Sequence, residues 1–469
     1  LTNEPRHCAA NSFTFPKIFR TNIEKFFNWK AVLPQTAVIR PLVNPRYRTI
    51  AEPLLIDMLL LYGWAFECEN GQEAAARAQC EAALESLRPL GLGFARGPAG
   101  ARLFDPVEVL NLFTAAGLAG DCPVWRDRFV RTGRALVASL AESGQVPQRF
   151  DVKITRTLGV SAPPAANAGA RITLPVPLAC HYARDIATVL AAPPGLPATI
   201  TRRDTCFDIR LNAPTPPQIA VSAKFTFTAL PQPCLTAPLS EAERLLYLRP
   251  AEHLIRVTPR IARIAASLVP ATAMPEKTVA AIWNFMLDHL LLGMVHHADI
   301  PADAAGDWVL EHRWCDCLLA AALFISLCRA RHIPARLVGG HLLYPLRPTN
   351  HFWAECWLGD AWLPYDFLAW DLFAAGHDHA WRDVFAGSCD VRMVTEIFPG
   401  RFTGPMSLRL PRAWHLIHTR AGTGISCAYH DALTGAPIYR DRIGCKMLQA
   451  PALDSPAGFK AAPAVAGGP

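Results

Sequence analysis

Two hydrophobic periods divide the chain. Up to about residue 145 the apolar positions recur at helical spacing. Glu73 to Leu90 is rich in Ala and Glu, Val107 to Ala116 is followed by Val124 to Ser143 with its arginines on one side, and a mainly helical region is predicted for 1–145. From Arg149 the period becomes two. Phe150, Val152 and Ile154 alternate with Asp151, Lys153 and Thr155, and Ile219, Val221, Ala223, Phe225 and Phe227 alternate with polar or small residues. With Arg171 to Val176 and Phe207 to Leu211, these runs predict a small antiparallel β-rich domain over 146–235, and Pro233 to Ser240 reads as a linker.

Helical spacing returns beyond the linker, in segments opened by Glu241 and by Pro275. It is clearest after Cys317, where Leu319, Ala322, Leu323, Ser326, Leu327 and Ala330 line one helix that Pro334 stops. Ala335 to Leu343 then reads as a strand, and His351–Leu358 and Ala361–Phe367 as a hairpin turning at Gly359-Asp360. A two-residue turn sets a register in which Trp353 faces Asp366 and His351 faces Leu368. His351 and Asp366 are then diagonal neighbours on one face, within reach of an imidazole–carboxylate hydrogen bond. A three-residue loop would break that register.

The order cysteine, histidine, carboxylate has chemical meaning. A thiol attacks as thiolate, which a helix N-terminus and a nearby imidazole both favour, and a carboxylate fixes the imidazole tautomer. Cys317 opens the helix, where free backbone N–H groups could also hold an oxyanion. Cys315 lies two residues upstream, so chemistry alone leaves the choice of nucleophile open.

The segment resembles the transglutaminase-like superfamily, a papain-like fold with a Cys-His-Asp triad. The resemblance is carried by Asp316 before Cys317, Leu323-Phe324, Arg329-Ala330, Ile333-Pro334-Ala335-Arg336 and Val338. It continues through His351-Phe352-Trp353-Ala354-Glu355-Cys356-Trp357-Leu358 and Trp362-Leu363-Pro364-Tyr365-Asp366. It implies Cys317 as nucleophile, favoured over Cys315 by its distance to Arg329 and Ile333, His351 as base and acid, and Asp366 as orienting carboxylate. Weaker resemblance reaches from about Phe150 to Tyr439-Arg440-Asp441-Arg442, but not into the first 140 or so residues. The family often adds an aromatic oxyanion donor from the preceding helix, read here as Glu276 to Leu292. Leu292 stands where bacterial relatives carry tyrosine, which leaves Trp283 as the candidate.

The implied fold class is α+β: a papain-like, transglutaminase-like catalytic domain over 241–449 with its core at 302–372, preceded by the β-rich domain and the helical region. The tail 450–469, rich in Ala, Pro and Gly, is predicted disordered.

Composition narrows the partners. A chain of 469 residues, 51% hydrophobic and 18% charged, can fill two or three cores. Its net charge of +7 is scattered without a basic run, which argues against nucleic acid and is compatible with an acidic protein such as an acyl-carrier protein. Fourteen irregularly spaced cysteines read as buried thiols. Thr2 to Arg20 is too polar for a secretory signal and the apolar run Pro53 to Phe66 too short to span a bilayer, so the sequence points to the cytoplasm.

Other readings carry less. His312, Cys315 and Cys317 lack the second half of a structural zinc site, and no acidic cluster points to calcium, so no metal or cofactor is expected. Glu355 is read as a charge at a solvated strand end, and His296-His297 and His377 with His379 as solvated turns. The expected reaction is attack by Cys317 on an amide or thioester, giving an acyl-thioester enzyme and then transfer to an amine or hydrolysis. The triad does not choose between these, and a non-catalytic interaction module is the reading from another class.

Overall fold

The computed structural model describes residues 49–53, 55–56, 59, 73–109, 111–112, 147–159, 171–191, 198–203, 206–211, 218–230, 233–234, 237–343, 349–367, 386–387, 392–399, 413–419, 425–431 and 437–448. The readings of Val124 to Ser143, of His377 and His379, and of the 450–469 tail lie outside them.

In the N-terminal region, helix α1 (Glu73–Leu87) buries Ala76, Cys80, Leu84 and Leu87, the stripe that its sequence spacing sets. Residues 106–109 and 111–112 are also helical. Beside them lies a small sheet of Ile50–Ala51, Arg102–Phe104 and Ala95–Arg96, which the helical pattern did not announce.

The β-rich part begins with β1 (Gln148–Gly159), β2 (Arg171–Pro175), β3 (Ala183–Ala191), β4 (Ala198–Arg202), β5 (Cys206–Leu211) and β6 (Gln218–Ala229). Alternation decides which face is covered. Phe150, Val152 and Ile154 on β1 and Val221, Ala223, Phe225 and Phe227 on β6 are buried, and Phe150 pairs with and stacks on Phe227 at 5.6 Å.

The helices of the next part are α2 (Glu241–Tyr247), α3 (Pro259–Leu268), α4 (Pro275–His289), α5 (Ala305–His312) and α6 (Cys317–Ala330). Helix α4 stops at His289, short of the expected Leu292, because Leu291–Leu292 leaves helical conformation to pair in parallel with Trp314–Cys315. Strands β7 (Ala335–Leu342), β8 (Thr349–Leu358), β9 (Ala361–Tyr365) and β10 (Arg392–Ile397) form one antiparallel sheet in the order β9-β8-β7-β10. Helix α6 packs against this sheet and is buried from Leu318 to Arg329. At its C-terminal end Arg329 donates to the Ala335 carbonyl and pairs with Glu252 at 2.9 Å, which closes the turn into β7.

Strands β11 (Ala413–Thr419), β12 (Ile425–Asp431) and β13 (Pro437–Leu448) join the β-rich part: one six-stranded sheet has the order β11-β12-β13-β1-β6-β3. The sequence division, with 241–449 as a catalytic unit apart from 146–235, is therefore corrected. The C-terminal strands complete the earlier sheet, because β1 needs a ladder partner on each edge and β13 supplies the second. Arg156 on β1 and Asp441 on β13 lock the pairing with two 2.8 Å hydrogen bonds, both side chains buried.

Candidate active site

Three elements converge at the N-terminus of α6. Asp316 caps the helix, its Oδ1 accepting from the Leu319 N–H at 2.9 Å, which sets Cys317 as the first helical residue. The carbonyl of Asp316 accepts from Ala320, so the first turn is tied down, and the N–H of Cys317, at the first helical position, has no acceptor within the helix.

The hairpin has the register the sequence sets. Leu358 pairs with Ala361, Glu355 with Pro364 and Ala354 with Tyr365, and the turn residues Gly359 and Asp360 both have positive φ, +56° and +65°, the two-residue turn that matches strand twist. One step further along that register Trp353 faces Asp366. The diagonal contact follows: His351 Nε2 donates to Asp366 Oδ1 at 2.8 Å, with both side chains buried. A carboxylate only accepts, so Nε2 carries the proton and Nδ1 is the nitrogen free for a thiol.

Cys317 itself is half-buried, and the backbone N–H of Phe352, next to His351, lies against its sulfur. Burial pushes the thiol pKa well up, and the Asp316 and Asp366 charges add to it, while the backbone groups of Phe352 and Leu318 pull the other way. The helix terminus therefore acts on this thiol against burial and an adjacent carboxylate. Cys315 is fully buried on the short strand before α6, paired with Leu292.

Asp366 is fully buried. Burial alone would raise its pKa, but the His351 ring and the Arg392 guanidinium overcome it and hold the carboxyl well below the usual range. Arg392 pairs with Asp366 Oδ2 at 2.7 Å and stacks over Trp353 at 4.8 Å. No sequence signal pointed to Arg392, since it lies on β10, far along the chain, and is brought in by the β7–β10 pairing. That pairing needs Gly340: a Cβ there would sit 2.1 Å from the Met393 carbonyl oxygen.

Glu355 is corrected from a solvated charge to a buried one. Its Oε2 accepts from Arg336 at 2.8 Å, and its Oε1 accepts from the Tyr182 hydroxyl at 2.5 Å. Tyr182 in turn accepts from Trp353 Nε1 at 3.3 Å, and the Trp353 ring stacks at 6.3 Å on His351. Tyr182 belongs to the β-rich part, so that part supports the histidine strand from behind. His296 and His297 are likewise corrected from a solvated turn: His296 Nε2 bonds Asp105 at 2.5 Å and His297 Nε2 bonds Asp316 at 2.6 Å. Trp283 is 2% exposed among Phe324, Tyr365 and Phe367, its ring 4.5 Å from that of Phe367. That packing makes it part of the core under the Asp366 strand. His312 stacks on Trp308 and bonds its carbonyl, and among the described residues no group of three metal-ligating side chains forms.

A cysteine opening a buried helix, packed on an antiparallel sheet whose hairpin joins a histidine to a carboxylate, defines a papain-like cysteine core. Residues 262–367 match the family model described as the transglutaminase-like superfamily. Among solved structures, the chain is similar to a candidate cysteine protease of Cytophaga hutchinsonii at 15% identity, covering 67% of this chain and 95% of that one with a TM-score of 0.39. It is also similar to the periplasmic domain of TgpA from Pseudomonas aeruginosa at 20% identity, covering 50% and 91% with a TM-score of 0.29. No curated protein matches the chain. No helix among the described residues is long and apolar enough to cross a membrane.

Proposed function

We propose that the protein is a cysteine-dependent acyltransferase that forms an acyl-thioester on Cys317 and passes the acyl group to an amine. The observation that carries the acyl chemistry is the buried His351–Asp366 hydrogen bond, backed by Arg392, beside the thiol at the N-terminus of α6. His351 takes the thiol proton through Nδ1 as the sulfur adds to an amide or thioester carbonyl. The Cys317 N–H receives the developing oxyanion. The imidazolium protonates the leaving group, an amine from an amide or a thiol from a thioester, and the neutral imidazole so regenerated removes a proton from the acceptor. Asp366 keeps the imidazole in one tautomer and balances its charge.

Acceptor choice rests on weaker ground. The scattered positive charge would suit an acidic acyl-carrier protein as donor, and the extra N-terminal region offers surface for a partner. Hydrolysis of an amide shares the first half-reaction and is the second reading, favoured where water reaches the acyl-enzyme. The test supplies a panel of thioesters with a primary amine and follows the mass of enzyme and products. An acyl adduct on wild type but not on Cys317→Ala, followed by amide product, supports transfer; free acid in excess of amine-dependent product replaces it with hydrolysis. Absence of any adduct with folded protein returns the chain to a non-catalytic module.

A further inference from the structure

One polar chain in the described structure has no part in the mechanism above, and it runs from the N-terminal region to the nucleophile. Asn111 makes a reciprocal pair with the backbone of Met294, donating from Nδ2 to its carbonyl and accepting from its N–H, both at 2.8 Å. The Met294 carbonyl also accepts from Trp314 Nε1 at 2.8 Å, and the Gly293 N–H donates to the Cys315 carbonyl at 2.9 Å. Gly293 can only be glycine here, since a Cβ would lie 1.8 Å from the Trp314 ring. Two residues on, His296 meets Asp105, whose neighbour Glu108 is pushed up to about 7 by burial and by the Asp105 charge. The loop from 291 to 297 is thus pinned on one side to residues 105–111 and on the other to the strand that leads into Cys317.

At its end the loop delivers His297 to Asp316. That carboxylate has two tasks at once. Oδ1 caps α6 through Leu319, and Oδ2 accepts from His297 Nε2 at 2.6 Å. An Asp directly before a nucleophilic thiol is an electrostatic burden, because its charge opposes the thiolate. A hydrogen bond from an imidazole turns that charge away and partly offsets it.

We propose that His297 is a positioning residue for Cys317, acting through Asp316, and that the N-terminal segment around Asp105 and Asn111 holds it in place. This rests on Cys317 being the nucleophile, and gives the N-terminal region a role in readying the thiol.

The experiment reads the thiol directly and so does not depend on turnover: the pH dependence of Cys317 alkylation by iodoacetamide in the full-length protein, followed on the peptide that contains it by mass spectrometry. His297→Ala should move the midpoint up by about one pH unit, an approximately tenfold slower reaction at neutral pH. His297→Gln, whose amide can still donate to the carboxylate, should recover part of the shift. Asp316→Asn, which keeps a capping side chain but removes the charge, should move the midpoint down, and adding His297→Ala to it should change nothing further. Asn111→Ala, remote from the thiol, should shift the midpoint in the same direction as His297→Ala by a smaller amount.

A wild-type midpoint in folded His297→Ala overturns the positioning role, as does an equal shift in the Asp316→Asn background. An unmoved midpoint in Asn111→Ala overturns the part assigned to the N-terminal segment. If His297→Ala does not fold, His297→Gln is compared with wild type by the same two criteria, with a smaller upward shift expected. Should Cys317→Ala keep full acyl transfer, the nucleophile reading fails by itself, whatever these profiles show.

Discussion

Single side chains in this site are held by partners that no local motif contains. Asp366 illustrates the electrostatics. Its carboxyl stays charged in a dry place because His351 and Arg392 each take one oxygen. Asp366→Asn should leave the fold intact and lower kcat by about three to four powers of ten, since an amide can present its donor to His351 and stabilise the wrong tautomer. Arg392→Ala removes one of the two groups that depress the carboxyl pKa. The acid limb of the pH–rate profile should therefore move to higher pH, and an unmoved limb would detach Arg392 from the site.

At the level of the element, the histidine strand β8 is tied on both faces. One face packs on α6, where Cys356 and Cys328 bring their sulfurs to 3.5 Å, and the other carries Trp353 and Glu355 against Tyr182. The Glu355 carboxyl is fully buried yet stays below its ordinary range: burial works against the charge, and Arg336 and His181 overcome it. Glu355→Ala would strand Arg336 as a buried cation, and a loss of about 3–5 kcal/mol is expected in urea unfolding. Arg336→Met with Glu355→Leu together should cost much less, since the penalty comes from the unpaired charge and not from the missing pair. The hairpin turn is also open to test. Gly359→Val demands positive φ from a β-branched residue, and a loss of about 1–2 kcal/mol should appear as a lowered Tm.

Across the whole molecule, the sheet that carries His351 and the β-rich part are joined by buried polar groups and by the chain returning to finish the six-stranded sheet. His341 on β7 is fully buried with its Nδ1 unbonded among the described residues, and burial, aided by the Arg156 charge, pushes its imidazole down to about 4. The unfolded chain takes up that proton at about pH 6.5. Its contribution to stability is thus complete above about pH 6.5 and is lost as pH falls towards 4. Asp366, also depressed, adds its own loss only below the ordinary carboxyl range, about pH 4. In unfolding experiments the stability of wild type relative to His341→Leu should fall as pH is lowered from 6.5 to 4, the variant's curve being the flatter of the two. A chain ending at residue 412 would lose β11, β12 and β13, leaving β1 as an open edge and Arg156 without Asp441. It should fail to unfold cooperatively and should be cut rapidly by protease.

Much of this was written in local sequence. Alternation fixed the buried faces of β1 and β6, helical spacing and Pro334 bounded α6, and a two-residue turn at Gly359-Asp360 set the register that joins His351 to Asp366. Those features depend on residues close together in the chain, where periodicity and turn geometry leave few solutions. The partner of Asp366 at Arg392, the seat of Glu355 against Tyr182, the docking of His297 on Asp316 and the return of β13 to β1 were decided by tertiary structure. Each joins segments distant in sequence, and a charge or an imidazole read alone looks solvated until the fold removes water from around it and supplies the group that satisfies it.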